Sequence, residues 1–194
     1  MYPYNHKKGQ LILTDVDGLS TDRSFLAHVS LGSAAAASNT AVHAAITLAS
    51  GATVVKIDSI TNPDVPRAIR IKGNAAGITG NVVIDGTNML DEAITETIIA
   101  ADAGAIDGTK AFKTVTKITV PARTTAGDTI SIGFNDVLGL PYKLATNTVL
   151  IAALNHVKES TAPTVTVSAT DIESNTVDLN SALNGNPVEA WLMV

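Results

Sequence analysis

Lys113-Thr-Val-Thr-Lys-Ile-Thr-Val120 is the stretch on which the fold turns. Six of its eight residues are β-branched, a choice that crowds a helix at χ1 and packs well on a pleated surface. Ile118 and Val120 alternate with polar neighbours, the period of a half-buried strand. Val115 is out of phase with that pair, which predicts a bulge or two-sided burial where the phase slips.

The same texture extends both ways from this stretch. From residue 52 onward, short β-branched runs alternate with polar residues and are broken by Gly, Asn, Asp or Pro every ten residues or so, the punctuation of a sandwich or barrel. Strands are expected at 52–58, 67–72, 81–85, 93–100, 112–120, 128–134, 148–157, 164–168, 176–179 and 188–194. Asp85-Gly86 and Asp107-Gly108 are read as turns, and Asn184-Gly185-Asn186 as a hairpin loop. Pro63, Pro66, Pro121, Pro141, Pro163 and Pro187 all fall at proposed strand borders, where a missing amide donor does least harm.

Two segments read both ways. Leu31 to Ser50 has enough alanine for a helix, yet Ala41-Val-His-Ala-Ala-Ile-Thr-Leu48 also fits a strand. Asp91 to Ala100 is tilted towards strand by Ile94, Thr95, Thr97, Ile98 and Ile99. At most one or two short helices are expected. The reading is therefore all-β: an antiparallel sandwich or barrel-like domain over residues 26–194, preceded by an extended N-terminal arm, residues 1–25, which would add little to a core.

Bulk properties narrow the function. With 45% hydrophobic residues and mean hydropathy +0.25, a chain of 194 residues can bury about 70% of its unfolded surface as one domain. Net charge is −5, and the 13 Lys and Arg residues are scattered apart from His6-Lys7-Lys8, so no nucleic-acid partner is expected. Cysteine is absent, which excludes disulfides, thiol nucleophiles and Cys-ligated metals. The start, MYPYNHKKGQ, lacks the apolar core of a secretion signal, and no apolar run approaches the ~18 residues of a membrane span. The expectation is a protein made in the cytoplasm, without a membrane partner.

Several stretches tempt a chemical reading. Leu11-Ile-Leu-Thr-Asp-Val-Asp-Gly-Leu-Ser-Thr-Asp22 resembles the opening motif of haloacid-dehalogenase-type phosphatases, which would make Asp15 a nucleophile and Asp17 a general acid and base beside Mg²⁺. That family needs a parallel sheet with amphipathic helices between strands, and these are missing. Its later Ser/Thr, Lys and acidic elements are missing too. An EF-hand would need another ligand at Leu19. Both aspartates are read as a surface turn.

Gly73-Asn-Ala-Ala-Gly-Ile-Thr-Gly80 has neither the spacing nor the following helix of a phosphate loop, and is read as a hairpin loop. His6, His28, His43 and His156 show no ligand spacing. Asp91, Glu92 and Glu96 are expected largely on a solvated face. Trp191 is expected in the core or at a subunit contact. No catalytic, cofactor-binding or metal-ligating residue is assigned, and no enzyme is expected.

The remaining signal is phrase-like. Ile60-Thr-Asn-Pro-Asp-Val-Pro-Arg67, Ile78-Thr-Gly-Asn-Val-Val-Ile-Asp-Gly-Thr87, Glu92-Ala-Ile-Thr-Glu-Thr-Ile98 and Lys110-Ala-Phe-Lys-Thr-Val-Thr-Lys-Ile118 carry part of it. With Leu138-Gly-Leu-Pro-Tyr-Lys-Leu144 and Thr164-Val-Thr-Val-Ser-Ala-Thr170, they resemble accessory virion proteins of tailed bacteriophages and prophages, over roughly residues 55–194. The resemblance implies a capsid decoration (cement) protein on the outside of an icosahedral shell, with the major capsid protein as partner, and Thr-rich and Ala-rich faces that can pack closely around a symmetry axis lead to the expectation of a homotrimer. A phage tail or tail-tube protein is the alternative, and a surface or sugar-binding β-domain a further one.

Overall fold

The structure, a computed structural model, describes residues 11–13, 17–18, 20–22, 25–99 and 103–194. In chain order the strands are β1 (Leu11–Leu13), β2 (Ser20–Asp22), β3 (Leu26–Ser33), β4 (Ser38–Thr47), β5 (Val54–Lys56), β6 (Arg67–Gly73), β7 (Asn81–Thr87) and β8 (Ala93–Ile99). They continue as β9 (Ala105–Phe112), β10 (Thr114–Val120), β11 (Thr129–Gly139), β12 (Val149–Leu154), β13 (Val157–Lys158), β14 (Thr164–Thr166), β15 (Thr176–Asp178) and β16 (Pro187–Met193). One 3₁₀ turn, Ile172–Ser174, precedes β15. The fold is all-β, and every pairing among the described residues is antiparallel. Among the described residues no helix is long and apolar enough to cross a membrane.

Three sheets build the body. One has the order β5-β10-β7-β8; a second runs β14-β15-β11-β6-β9 with β4 also on β11; the third is β13-β12-β16-β3. β1 and β2 form a separate hairpin inside the stretch expected as an arm. Residues 1–10, 14–16, 19 and 23–24 of that stretch lie outside the described residues.

The phase slip in the deciding stretch is a bulge. Val115 stands opposite Gly86 and Lys117 opposite Asp85, so Thr116 is the extra residue. One added residue restores the phase, and Val115, Ile118 and Val120 are all buried. The bulge also explains a misread turn: Asp85-Gly86 lies inside β7, where a Cβ on Gly86 would come 1.9 Å from the Thr114 carbonyl oxygen. Asp107-Gly108 is likewise inside β9. There a Cβ would come 2.5 Å from a carboxylate oxygen of Glu96. Both glycines serve close approach rather than a turn.

Other boundaries move for local reasons. The expected strand 148–157 is a hairpin, β12 to β13, because Asn155 and His156 both adopt positive φ, 52° and 61°, as a tight two-residue turn requires. The alanine-rich segment is strand, in β3 and β4, since each passes one face to a core. Phe112 ends β9, a strand the pattern did not separate from β10. Gly73 to Gly80 carries the chain from the second sheet to the first, and so is a crossover rather than a hairpin loop. The two segments flanking Asn184-Gly185-Asn186 also go to different sheets; Gly185 takes φ 85° and its N–H donates to Ala34 O at 2.8 Å.

Two apolar clusters result. Ile84, Ile98 and Ile118 of the first sheet face Ile46, Ile71 and Ile132 of the second. Leu138, Val177 and Leu183 pack with Val188, Ala190 and Leu192 of the third sheet. Each of these Val, Leu and Ile side chains contributes roughly 1.5–3 kcal/mol when fully buried. β11 serves both clusters, with Ile130 to Phe134 in one and Leu138 in the other. Between them the β6–β11 register slips, and Arg67 fills that joint. Its guanidinium donates to Asn135 O from Nε (2.8 Å) and Nη2, to Ala35 O (3.0 Å) and to Asp64 (3.0 Å), and lies 4.1 Å over the Phe134 ring.

Candidate interaction face

β16 alternates as a half-covered strand should. Val188, Ala190 and Leu192 point into the second core, so Glu189, Trp191 and Met193 point outward. Register sets Trp191 between Ile151 of β12 and His28 of β3, and Met193 beside Leu26. Imidazole and indole stack, with ring centroids 4.5 Å apart and planes 10° from parallel.

Glu189 joins strand β3 to the β12–β13 turn. Its Oε1 lies 3.3 Å from His28 Nε2 and its Oε2 3.0 Å from His156 Nδ1. The Asn155-His156 turn is what brings the second imidazole over the strand. Among the described residues no three His, Cys, Asp or Glu side chains are arranged to hold a metal. The arrangement is instead a fixed aromatic and polar platform. Leu26 beside it is 61% exposed and Leu150, the extra residue in the β12 bulge, 59%. Large apolar side chains held open around a half-buried tryptophan are the composition of a contact surface. Among the described residues β3 is the outer strand of its sheet, and no described strand pairs with its far edge.

A charged row runs across the second sheet. Arg70 of β6 grips Asp107 of β9 through two bonds, 2.5 and 2.8 Å. That pairing raises the Arg70 pKa, with the charge of Asp136 adding to it. Asp178 of β15 is pushed above the ordinary aspartate range, first by burial and then by Asp136 and Asp107. On the first sheet, Lys117 Nζ at 2.7 Å and the Thr95 hydroxyl at 2.6 Å hold Asp85 below the ordinary range.

The tempting residues are dispersed. Asp17 is exposed in a turn with Gly18 at φ 75°, while Asp15 and His6 lie outside the described residues. His43 sits on β4 with Nδ1 2.6 Å from Ala44 O. His28 and His156, 128 positions apart in the sequence, meet on Glu189. Asp91 and Glu92 are exposed, but Glu96 is buried, which corrects its expected place on a solvated face. It shares a phase with Ile94 and Ile98, and its Oε1 accepts the N–H of Thr109 at 2.6 Å. Trp191 is outside the core.

Sequence reasoning missed Glu189 and Arg67. For Arg67 a signal existed, since it is in phase with Ile69 and Ile71 and so faces the core by simple alternation. Compared with protein-family models, characterised proteins and solved structures, the chain has no match in any of the three.

Proposed function

We propose that the protein is a structural component of a tailed-bacteriophage virion: a capsid decoration protein that binds the outside of the icosahedral shell as a homotrimer and stabilises it. The observation that carries this reading is the outer face of the third sheet, with Trp191 stacked on His28 and Leu26 and Leu150 held open beside it. A cement protein works by contact alone. It needs a rigid body, a central aromatic anchor and a polar rim, and Glu189 with its two histidines supplies that rim. The resemblance over residues 55–194 points the same way. The edge of β3 that no described strand covers also suits strand addition, which asks for main-chain groups rather than a particular sequence.

The test is the copy number of the protein relative to the major shell protein in purified virions, by quantitative mass spectrometry. Hundreds of copies in a simple ratio to the shell subunit are expected. A few dozen would move the protein to the tail or neck, and absence from the particle would end the virion reading.

A further inference from the structure

A second cluster lies where β8, the edge of the first sheet, meets β9, the edge of the second. Asn88, in the turn from β7 to β8, is buried, and Glu173 from the 3₁₀ turn is buried beside it. The Asn88 amide is bonded on both sides. Its Oδ1 accepts the N–H groups of Leu90 (2.9 Å) and Glu92 (3.1 Å). Its Nδ2 donates to Glu92 Oε2 (2.9 Å) and Glu173 Oε2 (3.3 Å). The other oxygen of Glu173, Oε1, stands 3.6 Å from Lys110 Nζ on β9. An amine and a carboxamide therefore occupy the two oxygens of one buried carboxylate.

We propose that Lys110 and Asn88 condense into an intramolecular isopeptide bond, with Glu173 as the proton carrier. Glu173 Oε1 takes a proton from the Lys110 ammonium, and the neutral amine attacks Asn88 Cγ. Negative charge then develops on Oδ1, where the Leu90 and Glu92 N–H groups form a ready oxyanion hole. The protonated Glu173, already bonded to Nδ2, returns its proton to that nitrogen, and the excess proton on Nζ passes by the same carboxylate. Once Cγ–Nζ has formed, the Cγ–Nδ2 bond breaks, and the departing ammonia takes up the proton that Glu173 carried from Nζ. An ammonium and a carboxamide become a secondary amide and an ammonium ion, so no oxidant or cofactor enters.

Burial of Asn88 and Glu173 keeps water, the competing nucleophile, away from Cγ. Lys110 Nζ donates to Thr95 O at 3.1 Å and must swing from it until the reacting atoms close to roughly 3–3.5 Å. Its four-carbon stem is the flexible part, and the side chain is a third exposed. The bond would weld the β8–β9 seam in a chain that has no cysteine.

The experiment is an intact mass of the purified full chain, followed by proteolysis and tandem mass spectrometry. The expected result is a chain lighter by one ammonia, with trypsin blocked at Lys110 and a branched peptide joining residues 88 and 110. Lys110→Arg and Glu173→Gln, each checked for native circular dichroism, should keep the full mass. A wild-type chain that retains its full mass after prolonged incubation overturns the proposal. So does ammonia loss confined to a linear peptide, which marks an asparagine succinimide.

Discussion

Replacing Arg67 by methionine tests how the two cores are joined. The side chain is wholly buried, and its partners at the joint include two backbone carbonyls, those of Asn135 and Ala35, which no second mutation can remove. This separates it from an ordinary buried ion pair, which a well-packed apolar pair can replace at little cost. Methionine fills much of the volume but leaves both carbonyls without the Arg67 donor, while the Asp64 oxygens keep the N–H groups of Ala35 and Val65. An orphaned buried acceptor costs about 1–3 kcal/mol, and with two such carbonyls a loss near 4 kcal/mol is expected.

For a domain of this size that corresponds to a Tm lower by about 8–16 °C. Urea titration followed by far-UV circular dichroism and by the fluorescence of Trp191, the only tryptophan, gives the same quantity at constant slope. Trp191 reports on the third sheet and circular dichroism on the whole chain, so coincident transitions also establish that the two cores unfold together. Arg67→Lys should fall between, because an ammonium cannot reproduce the fork that grips Asn135 O. A methionine variant within about 1 kcal/mol of the parent would refute the reasoning, since the joint would then be held by packing alone.

Three further outcomes follow from particular contacts. Gly86→Ala places a Cβ 1.9 Å from the Thr114 carbonyl oxygen and should cost at least about 3 kcal/mol in urea titration, a value reserved for strain or overpacking in a core. Asp178→Asn should raise the Tm at pH 7. Because the folded pKa is raised, stability falls as pH climbs from the unfolded value near 3.9 through the folded one, so the variant's advantage should disappear below that lower limit. Trp191→Ala should leave the Tm nearly unchanged and, on the proposed decoration role, weaken binding to isolated phage shells by at least ~30-fold, the loss expected of an interface anchor.

The strands were legible wherever one face alone met a core, as at β6, β7, β8, β10 and β16, because period-two alternation is then imposed by burial. Legibility failed where local chemistry has two uses. Asp-Gly reads as a turn, but at Gly86 and Gly108 the missing Cβ makes room for a neighbouring carbonyl and carboxylate instead. Asn155-His156 reads as strand, because neither residue announces positive φ as glycine would. The contact face was only half visible. Trp191 stands out by rarity, whereas its pairing with His28 and the convergence of His28 and His156 on Glu189 depend on a register across three strands that no local pattern encodes.

Arg67 and Glu96 share one feature that makes the next sequence of this type easier to read. Each is an ionisable residue in phase with two apolar neighbours on its own strand, Ile69 and Ile71 in one case and Ile94 and Ile98 in the other. Alternation forces such a side chain inward, and burial then demands donors or acceptors from an adjoining element. Arg67 meets that demand by binding the backbone between the two cores, and Glu96 meets half of it, Oε1 accepting Thr109 N–H and Lys110 N–H from β9 while its buried Oε2 has no partner among the described residues. A charge on the core phase of a strand thus marks where one sheet is fastened to another. The fastening at Glu96 also fixes the backbone of Lys110, whose Nζ stands 3.6 Å from Glu173 Oε1. The same inward charge therefore holds together the seam at which the covalent bond is proposed.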